Sequence, residues 1–384
     1  MKIIFLEAVQ DHGGARKSTI ELAKRLKILG HEVLIVDFWG SCKPFVEDVK
    51  KAEIPIKILI PRDKPYIIQS KSKIKLLKNS LQYFFLEKKY RKTFAYIVDK
   101  FNPDIVSVNN IKCLNILEPN GYYYIDFFAR GWNDYRSLSN IAKRIFKKYK
   151  KIRFLTVSQS TRQAIYTGGL SELKNIKVLT SVVESKVFNE YTPIYKPISS
   201  ENPIKILFSG GFLKTKGQHI CVGVAKELKD RGIPFNMFLT GVIYQGESSC
   251  NYYKAIKNII IKHKLEEEVK IVINPPNIMD YFRDCHVLLH PSYTEGLPRV
   301  CLEALSFGKP VIANPVGGVT DIVINNLTGF ITDFNAIEQY VEYIVKYIEN
   351  HDLYKFHSMN ARLLIKQNYL DSNQFENIKR IYPL

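Results

Sequence analysis

Apolar and polar positions along the chain form blocks that predict short buried strands separated by helices. Between the first two strands, residues 18–29 place apolar side chains at helical spacing, and Gly30 follows as a helix stop. Near-continuous apolar strands that alternate with helices are typical of a parallel sheet with helices on both faces. The predicted strands of the first half are Lys2–Leu6, Glu32–Phe38, Ile105–Val108, Tyr122–Ile125 and Phe154–Val157.

The same alternation begins again after residues 191–203, a polar, proline-bearing segment that is typical of a linker. The pattern therefore predicts an α/β protein with two Rossmann-like, doubly wound domains, at residues 1–195 and 204–360. A further helix, from Ala361 to about Arg380, falls in residues 361–384, which could pack back on the first domain. The strands predicted for the second half are Ile204–Ser209, Asn236–Thr240, Val269–Ile273, Val287–His290 and Pro310–Ala313, and its first helix is His219–Lys229.

Composition supports a globular protein, since 46% of the 384 residues are hydrophobic and 24% are charged. No apolar run approaches the roughly 20 residues that cross a bilayer. The opening apolar run ends at Glu7 with no cleavage site after it, so we expect a first strand and a cytoplasmic protein. Six scattered cysteines without a Cys-x-x-Cys pair argue against a zinc site and a disulfide framework.

Net charge divides the chain unevenly. Residues 1–200 carry 36 Lys and Arg against 18 Asp and Glu, whereas the remaining residues carry 20 against 19. The excess includes two basic stretches, Lys71–Lys92 and Lys143–Arg153, the first of which is interleaved with aromatic and aliphatic residues. Such helices suit an anionic membrane surface, here the inner face of the cytoplasmic membrane, although an ordinary solvated face is equally compatible. We expect no nucleic acid partner, because no recognised binding module accompanies the charge.

The most informative segment runs from residue 290 to residue 329. Glu295 ends a loop after a predicted strand, and Gly296-Leu297-Pro298 opens a helix whose first backbone N–H groups favour oxygen-rich, negatively charged ligands. Glu303 lies about two turns along that helix, so both carboxylates can face one crevice. An acid there can accept hydrogen bonds from the vicinal hydroxyls of a ribose. The structural alternative is a capping Glu295 and a solvated Glu303.

The surrounding residues carry a family resemblance. This segment resembles the nucleotide-sugar site of the retaining glycosyltransferase family four. The residues that carry the resemblance are Pro291-Ser292, Glu295-Gly296, Pro298, Glu303-Ala304, Gly308, Pro310 and Gly317-Gly318. That family has the GT-B fold, in which two Rossmann-like domains face a central cleft. The resemblance is clear over about residues 204–332, and it is weaker at residues 1–40.

The resemblance implies roles for individual residues. Lys216 would neutralise the donor diphosphate, Glu303 would hold the ribose, and Glu295 with the backbone of residues 296–298 would position the transferred sugar. Gly13 and Gly14 would bring the first helix close to the diphosphate from the opposite domain. The expected donor-binding residues are therefore Gly13, Gly14, Gly210, Gly211, Lys214, Lys216, Gly241, Glu295, Gly296, Leu297, Pro298, Arg299 and Glu303.

Two departures from the family pattern affect the expected chemistry. The family often has an Arg at the position of Gly211, so Lys214 or Arg299 would have to replace that cation. The family also often presents a His after its fourth or fifth strand, and neither predicted strand is followed by one. Asp126 is then our candidate for a substrate contact and, with Glu295 and Lys216, for a catalytic role, although a turn aspartate is the alternative.

The resemblance therefore implies a glycosyltransferase that moves a sugar with retention from a UDP- or GDP-sugar to a glycan or lipid-linked acceptor. The setting would be surface polysaccharide or lipopolysaccharide biosynthesis. The chain has no Asp-x-Asp triplet, so we expect no cofactor and no required divalent metal. A nucleotide-sugar epimerase of the same architecture, or a non-catalytic module that binds a nucleotide-sugar or a membrane, remains as an alternative.

Overall fold

The computed structural model of the chain describes residues 1–10, 13–66, 73–131, 135–138, 140–193, 198–199, 201–244 and 246–383. Side chains at 73–78, 80, 81 and 140–142 lie outside this description, as do Lys71 of the first basic stretch and residues 194–197 and 200 of the predicted linker. The chain folds into two compact units. Unit 1 is Met1–Val157, Thr161–Leu179 and Phe375–Leu384, and unit 2 is Ser158–Ser160 and Thr180–Gln374. The chain thus leaves unit 1 before the predicted limit at residue 195, and its last ten residues return to it.

Unit 1 is built around a seven-stranded sheet in which every strand pair is parallel. The strand order is β3-β2-β1-β4-β5-β6-β7. Its strands are β1 (Lys2–Glu7), β2 (Glu32–Asp37), β3 (Ile56–Ile58), β4 (Ile105–Val108), β5 (Tyr124–Ala129), β6 (Ile152–Thr156) and β7 (Ile176–Val178). The helices between them are α1 (Gly14–Ile28), α2 (Lys43–Lys51), α3 (Lys73–Phe101), α4 (Ile111–Asn115), α5 (Asn140–Lys147) and α6 (Gln159–Thr167).

The local sequence explains the start of this sheet. Residues 3–6 of β1 are fully buried, which fits an apolar strand covered on both faces. Helix α1 ends at Ile28, and Gly30, two residues later, adopts a left-handed conformation with φ of 85°. The N–H groups of Gly30 and His31 donate to carbonyls of the last helical turn, at 3.0 and 3.1 Å. The predicted stop at Gly30 is therefore confirmed.

Strand β5 differs from its prediction, since it runs to Ala129 rather than ending at Ile125. Asp126 was expected to mark the strand end because a carboxylate rarely lies inside a buried strand. Here Asp126 is fully buried, and Arg153 on the neighbouring strand and Tyr382 from the end of the chain both donate hydrogen bonds to it. This pairing offsets the cost of burying the carboxylate, and the strand continues.

Unit 2 contains a six-stranded parallel sheet with the order β10-β9-β8-β11-β12-β13. Three of its strands have the predicted bounds, and the short edge strand β13 was not predicted. Its strands are β8 (Ile204–Ser209), β9 (Phe235–Gly241), β10 (Val269–Ile273), β11 (Val287–His290), β12 (Val311–Ala313) and β13 (Gly329–Ile331). The helices are α7 (Ser185–Asn189), α8 (Gln218–Asp230), α9 (Glu247–Lys262), α10 (Ile278–Asp284), α11 (Arg299–Ser306), α12 (Ile337–Glu349) and α13 (His351–Asn368). The last helix, α14 (Asp371–Ile381), begins in unit 2, and its residues from Phe375 onward belong to unit 1.

The predicted helix from Ala361 to about Arg380 is in fact two helices, α13 and α14. The break falls at Leu370, which forms an isolated parallel bridge with Val183. The N–H of Val183 donates to the Tyr369 carbonyl at 2.8 Å, so these backbone groups bond outside the helix. The continuous helical pattern of the sequence did not reveal this pairing, because the partner lies far away along the chain.

Among the described residues, no helix is both long and apolar enough to cross a bilayer. The longest, α3, has 29 residues and carries much of the first basic stretch.

The Arg153–Asp126 pair should dominate the stability of unit 1. We expect Arg153→Met to lower the free energy of unfolding by about 3 kcal/mol, because the carboxylate stays buried without its cation. Tryptophan fluorescence during urea unfolding reports on this unit, since Trp39 and Trp132 are the two tryptophans of the chain. Arg144→Ala, which removes an exposed arginine of the same unit, is the matched control. Equal stabilities of the two variants would contradict the proposed pairing energy.

Candidate functional site

The loop after β8 presents Lys216 at the entrance to α8. Residues 214–216 form a 3₁₀ turn, and Gly217 follows in the left-handed conformation with φ of 82°. A Cβ atom on Gly217 would lie 2.3 Å from the carbonyl oxygen of Pro291, so only glycine fits there. The loop after β8 is therefore packed directly against the loop after β11.

The loop after β11 carries Glu295 and leads into α11. The N–H of Tyr293 donates to the Thr215 carbonyl at 2.9 Å, which ties the two loops together by their backbones. Pro298 is the N-cap residue of α11, and neither a capping side chain nor an acid occupies its first turn. The N-terminus of α11 therefore keeps its positive partial charge available to a ligand.

Lys216 and Glu295 form an ion pair at the meeting point of these loops. Their Nζ and Oε1 atoms are 2.6 Å apart, and His290 Nε2 lies 3.1 Å from the same carboxylate oxygen. The Glu295 side chain is only 11% exposed. Burial alone would raise its pKa, but the His290 hydrogen bond and the Lys216 charge outweigh burial and lower the pKa to about 2. Glu295 is consequently an anion throughout the physiological pH range.

Glu303 lies on α11, where Arg299 is its neighbour one turn earlier, with 3.9 Å between Nε and Oε1. Both side chains remain partly exposed. The buried thiol of Cys301 lies on the same helix, and the charges of Glu295, Glu303 and Lys216 affect its pKa. Its pKa is raised by burial first and then by Glu295 and Glu303, whereas Lys216 acts in the opposite direction. Glu303 thus lies on α11, and Glu295, which pairs with Lys216, lies in the loop that leads into this helix.

Two positions of this unit require glycine for steric reasons. A Cβ on Gly241 would lie 1.9 Å from the Gly210 carbonyl oxygen, so the ends of β8 and β9 approach more closely than a side chain allows. A Cβ on Gly211 would lie 2.2 Å from the Tyr244 ring. Tyr244 thus occupies the space that a side chain at position 211 would need. Of the two suggested replacements, Lys214 is exposed and Arg299 lies beside Glu303.

An aromatic cluster behind Lys216 was missed by the sequence analysis. The Tyr293 ring stacks between His219 and Phe334, with centroids 6.1 and 5.9 Å away. The Tyr293 hydroxyl lies 3.2 Å from His219 Nε2 and also bonds Asn335. His290 was likewise treated as an ordinary histidine. These residues come from three separate segments, so no local spacing could have revealed their contact.

In unit 1, Gly13 and Gly14 lie at the start of α1, where Gly13 is the N-cap residue. The buried Glu7 stabilises this turn. Its carboxylate accepts hydrogen bonds from Arg16 and Asn109, both at 2.7 Å, and from Thr19 at 2.9 Å. These contacts fix the carboxyl end of β1 and the first turn of α1.

The structure does not support Asp126 as a substrate contact or catalytic residue. Its carboxylate is fully buried in the middle of β5, and Arg153 and Tyr382 occupy its oxygens. It acts instead as a structural anion. Lys216 and Glu295 do meet as expected, and Glu303 lies on the adjacent helix, whereas their roles toward a ligand stay predictions.

Comparison with known proteins adds independent information. Residues 194–363 match the family model for glycosyl transferases group 1. An uncharacterized glycosyltransferase of Methanocaldococcus jannaschii is 31% identical over 162 residues, which are 42% of this chain and 43% of that protein. One from Haemophilus influenzae is 25% identical over 367 residues, or 94% of each chain. The capsular polysaccharide biosynthesis glycosyltransferase CapM of Staphylococcus aureus is 23% identical over 241 residues, 59% of this chain and 60% of that protein.

Solved structures show the same architecture. A glycosyltransferase from Rickettsia africae has a TM-score of 0.78 at 22% identity, with 99% of this chain and 97% of that chain covered. Anabaena HepE in complex with UDP has a TM-score of 0.77 at 20% identity, with 99% of both chains covered. These likenesses confirm the predicted two-domain α/β fold of the GT-B class.

The lowered pKa of Glu295 makes a pH-dependent contribution to stability. Because the folded pKa of about 2 lies below the usual 4.5, the contribution is complete above pH 4.5 and is lost as the pH falls toward 2. We expect the stability difference between the wild type and Glu295→Gln to shrink by about 3 kcal/mol across that window. Urea unfolding followed by circular dichroism from pH 6 to pH 2.5 measures it. The exposed Glu342→Gln is the control, and a difference that does not vary with pH would refute the ion pair's role.

Proposed function

We propose that this chain, a glycosyltransferase of the GT-B fold, moves a sugar with retention from a nucleotide-sugar to a glycan or lipid-linked acceptor. The family-four resemblance supports the retaining outcome, and no described residue is assigned here as a covalent nucleophile. The observation that carries the proposal is the contact between Lys216 and Glu295 at the start of two helices, α8 and α11. At this point the Lys216 cation and the positive N-terminus of α11 suit a diphosphate. The permanent anion, Glu295, suits the hydroxyls of the attached sugar.

Each charge has a separate task in this proposal. As the sugar–phosphate bond breaks, negative charge develops on the departing diphosphate, and the Lys216 ammonium stabilises it. Glu295 remains ionised, so it accepts hydrogen bonds from hydroxyls of the transferred sugar and positions the ring. Glu303 holds the ribose through its two hydroxyls, with Arg299 one turn away.

The donor is proposed to be a UDP- or GDP-sugar. Support for uridine comes from HepE, whose structures contain UDP and UDP-glucose. Support for a role in surface polysaccharide or lipopolysaccharide assembly comes from CapM, a capsular polysaccharide biosynthesis enzyme, and from the fold shared with the lipopolysaccharide galactosyltransferase WaaB. We propose that transfer needs no divalent ion, because Lys216 and the N-terminus of α11 can balance the diphosphate charge.

Turnover of a donor panel tests this function. UDP- and GDP-sugars are incubated with the full chain, with and without EDTA, and release of nucleoside diphosphate is measured. We expect one donor to be hydrolysed slowly without an acceptor, and Lys216→Ala to lower that rate by roughly 10²- to 10³-fold. Lys205→Ala, which breaks an exposed ion pair with Asp284 in the same unit, should leave the rate unchanged.

The other outcomes separate the alternatives. Interconversion of two donors would indicate an epimerase, and binding without turnover would indicate a non-catalytic module. A Lys216→Ala rate equal to that of the wild type would reject the proposed role of the ammonium, provided that thermal melting shows a folded variant. Loss of turnover in EDTA would reject metal independence.

We further propose that α3 contacts anionic lipid at the inner face of the cytoplasmic membrane. Phe85, Lys88, Lys89 and Lys92 share one face of the helix and are all exposed, and 61% of the Phe85 surface is accessible. An exposed aromatic beside several lysines matches an interfacial helix. In the second basic stretch Arg153 pairs with Asp126, whereas Lys147, Lys148 and Lys150 are exposed.

Co-sedimentation with vesicles that contain about 30% phosphatidylglycerol tests the membrane contact. Lys88→Ala with Lys89→Ala should weaken binding roughly 30-fold, at about 1 kcal/mol for each cation, and added salt should weaken the wild type. Lys254→Ala with Lys257→Ala removes the same charge from exposed positions on α9 and serves as the control. Equal losses in both double variants would mean that binding depends on the overall positive charge and not on the basic face of α3.

A further inference from the structure

Arg130 occupies a position at which ligands commonly bind in this type of sheet. It directly follows β5, and all neighbouring strands of unit 1 run parallel to that strand. In open parallel sheets, ligands bind beyond the carboxyl ends of the strands. It is also the residue that follows the fifth strand, and family four often presents a histidine after its fourth or fifth strand. Because the strand predicted from the sequence ended at Ile125, Arg130 was not recognised as the residue that follows it.

The guanidinium of Arg130 is partly buried and is not fully bonded. Its Nη1 donates to the Ala15 carbonyl in the first turn of α1 at 3.0 Å, and its central carbon lies 4.3 Å from the centre of the Phe128 ring. Its Nε is buried and has no hydrogen-bond partner within the part of the chain that the structure describes. A buried donor without a partner is costly, so it calls for an explanation such as a missing ligand.

The charge of Arg130 is only partly balanced. Burial lowers its pKa to about 10, the charges of Glu7 and Glu21 oppose burial, and Arg16 acts in the same direction as burial. Glu7, however, is already engaged by Arg16 at 2.7 Å. Among the described residues, no acid forms an ion pair with Arg130. The first turn of α1 also lacks an acid and a capping side chain, so its N-terminus adds positive potential.

Arg153 provides a comparison within the same sheet. It lies on β6, next to β5, and it donates from two nitrogens to the buried Asp126. Unit 1 therefore contains two partly buried arginines. The protein supplies an ion-pair partner for Arg153, but the described residues supply none for Arg130. The difference favours a binding role for Arg130 over a structural one.

We propose that Arg130 binds phosphate oxygens of a substrate at the carboxyl edge of the unit 1 sheet, beside the start of α1. This inference rests on the proposed function, which supplies phosphorylated ligands. A guanidinium keeps its proton and forms directional hydrogen bonds with phosphate, so Arg130 holds the anion and does not exchange a proton. The phosphate belongs either to the nucleotide-sugar or to a phosphorylated acceptor.

Calorimetric titrations of the full chain with two probes distinguish these sources. UDP tests the donor phosphates, inorganic phosphate tests an acceptor-type phosphate, and uridine is the uncharged control. Arg130→Ala should weaken at least one phosphate probe about tenfold, which corresponds to about 1.4 kcal/mol, and leave uridine binding unchanged. Arg130→Lys should restore part of the loss. Arg144→Ala, which removes an exposed arginine of the same unit, should bind like the wild type.

Each outcome decides the proposal. A loss confined to UDP assigns the donor diphosphate, and a loss confined to inorganic phosphate assigns the acceptor. Unchanged binding of both probes, equal losses in Arg144→Ala, or no phosphate binding by the wild type overturns the inference. The proposed function fails separately, since it depends on donor turnover and not on these affinities.

Discussion

The salt bridge between Lys216 and Glu295 is the interaction on which the organisation of unit 2 depends. A nearly buried carboxylate is tolerated only if its lost hydration is compensated, and here Lys216 donates to Glu295 while His290 Nε2 lies 3.1 Å from the same oxygen. That requirement fixes the loops after β8 and β11 against each other, with Gly217 permitting the close approach. The catalytic candidates are thus positioned by the same contact that makes their burial possible.

Much of this arrangement could be predicted because its signals are local. Continuous apolar runs gave three strands of unit 2 with their observed bounds, and the spacing of Glu295 and Glu303 identified the helix that bears the site. Short edge strands such as β7 and β13 escaped, since three residues carry too little pattern. The aromatic cluster around Tyr293 escaped because its members come from distant segments.

The error at Asp126 has one physical cause. The residue that donates to its second oxygen, Tyr382, is 256 positions away, so the sequence around Asp126 shows a charge in a strand without its partner. A strand end was the economical interpretation of that pattern. Because the strand in fact continues to Ala129, Arg130 is the residue that follows its carboxyl end.

The path of the last helix affects how such enzymes can be recombined. Residues 375–384 belong to unit 1 although all of unit 2 precedes them, and Tyr382 completes the core at Asp126. A chimera that joins the first half of this chain to the second half of a relative would therefore inherit a foreign tail in the core of unit 1. Exchange of unit 1 by gene fusion would have to move two separate stretches of sequence together, the long first part and the short terminal one.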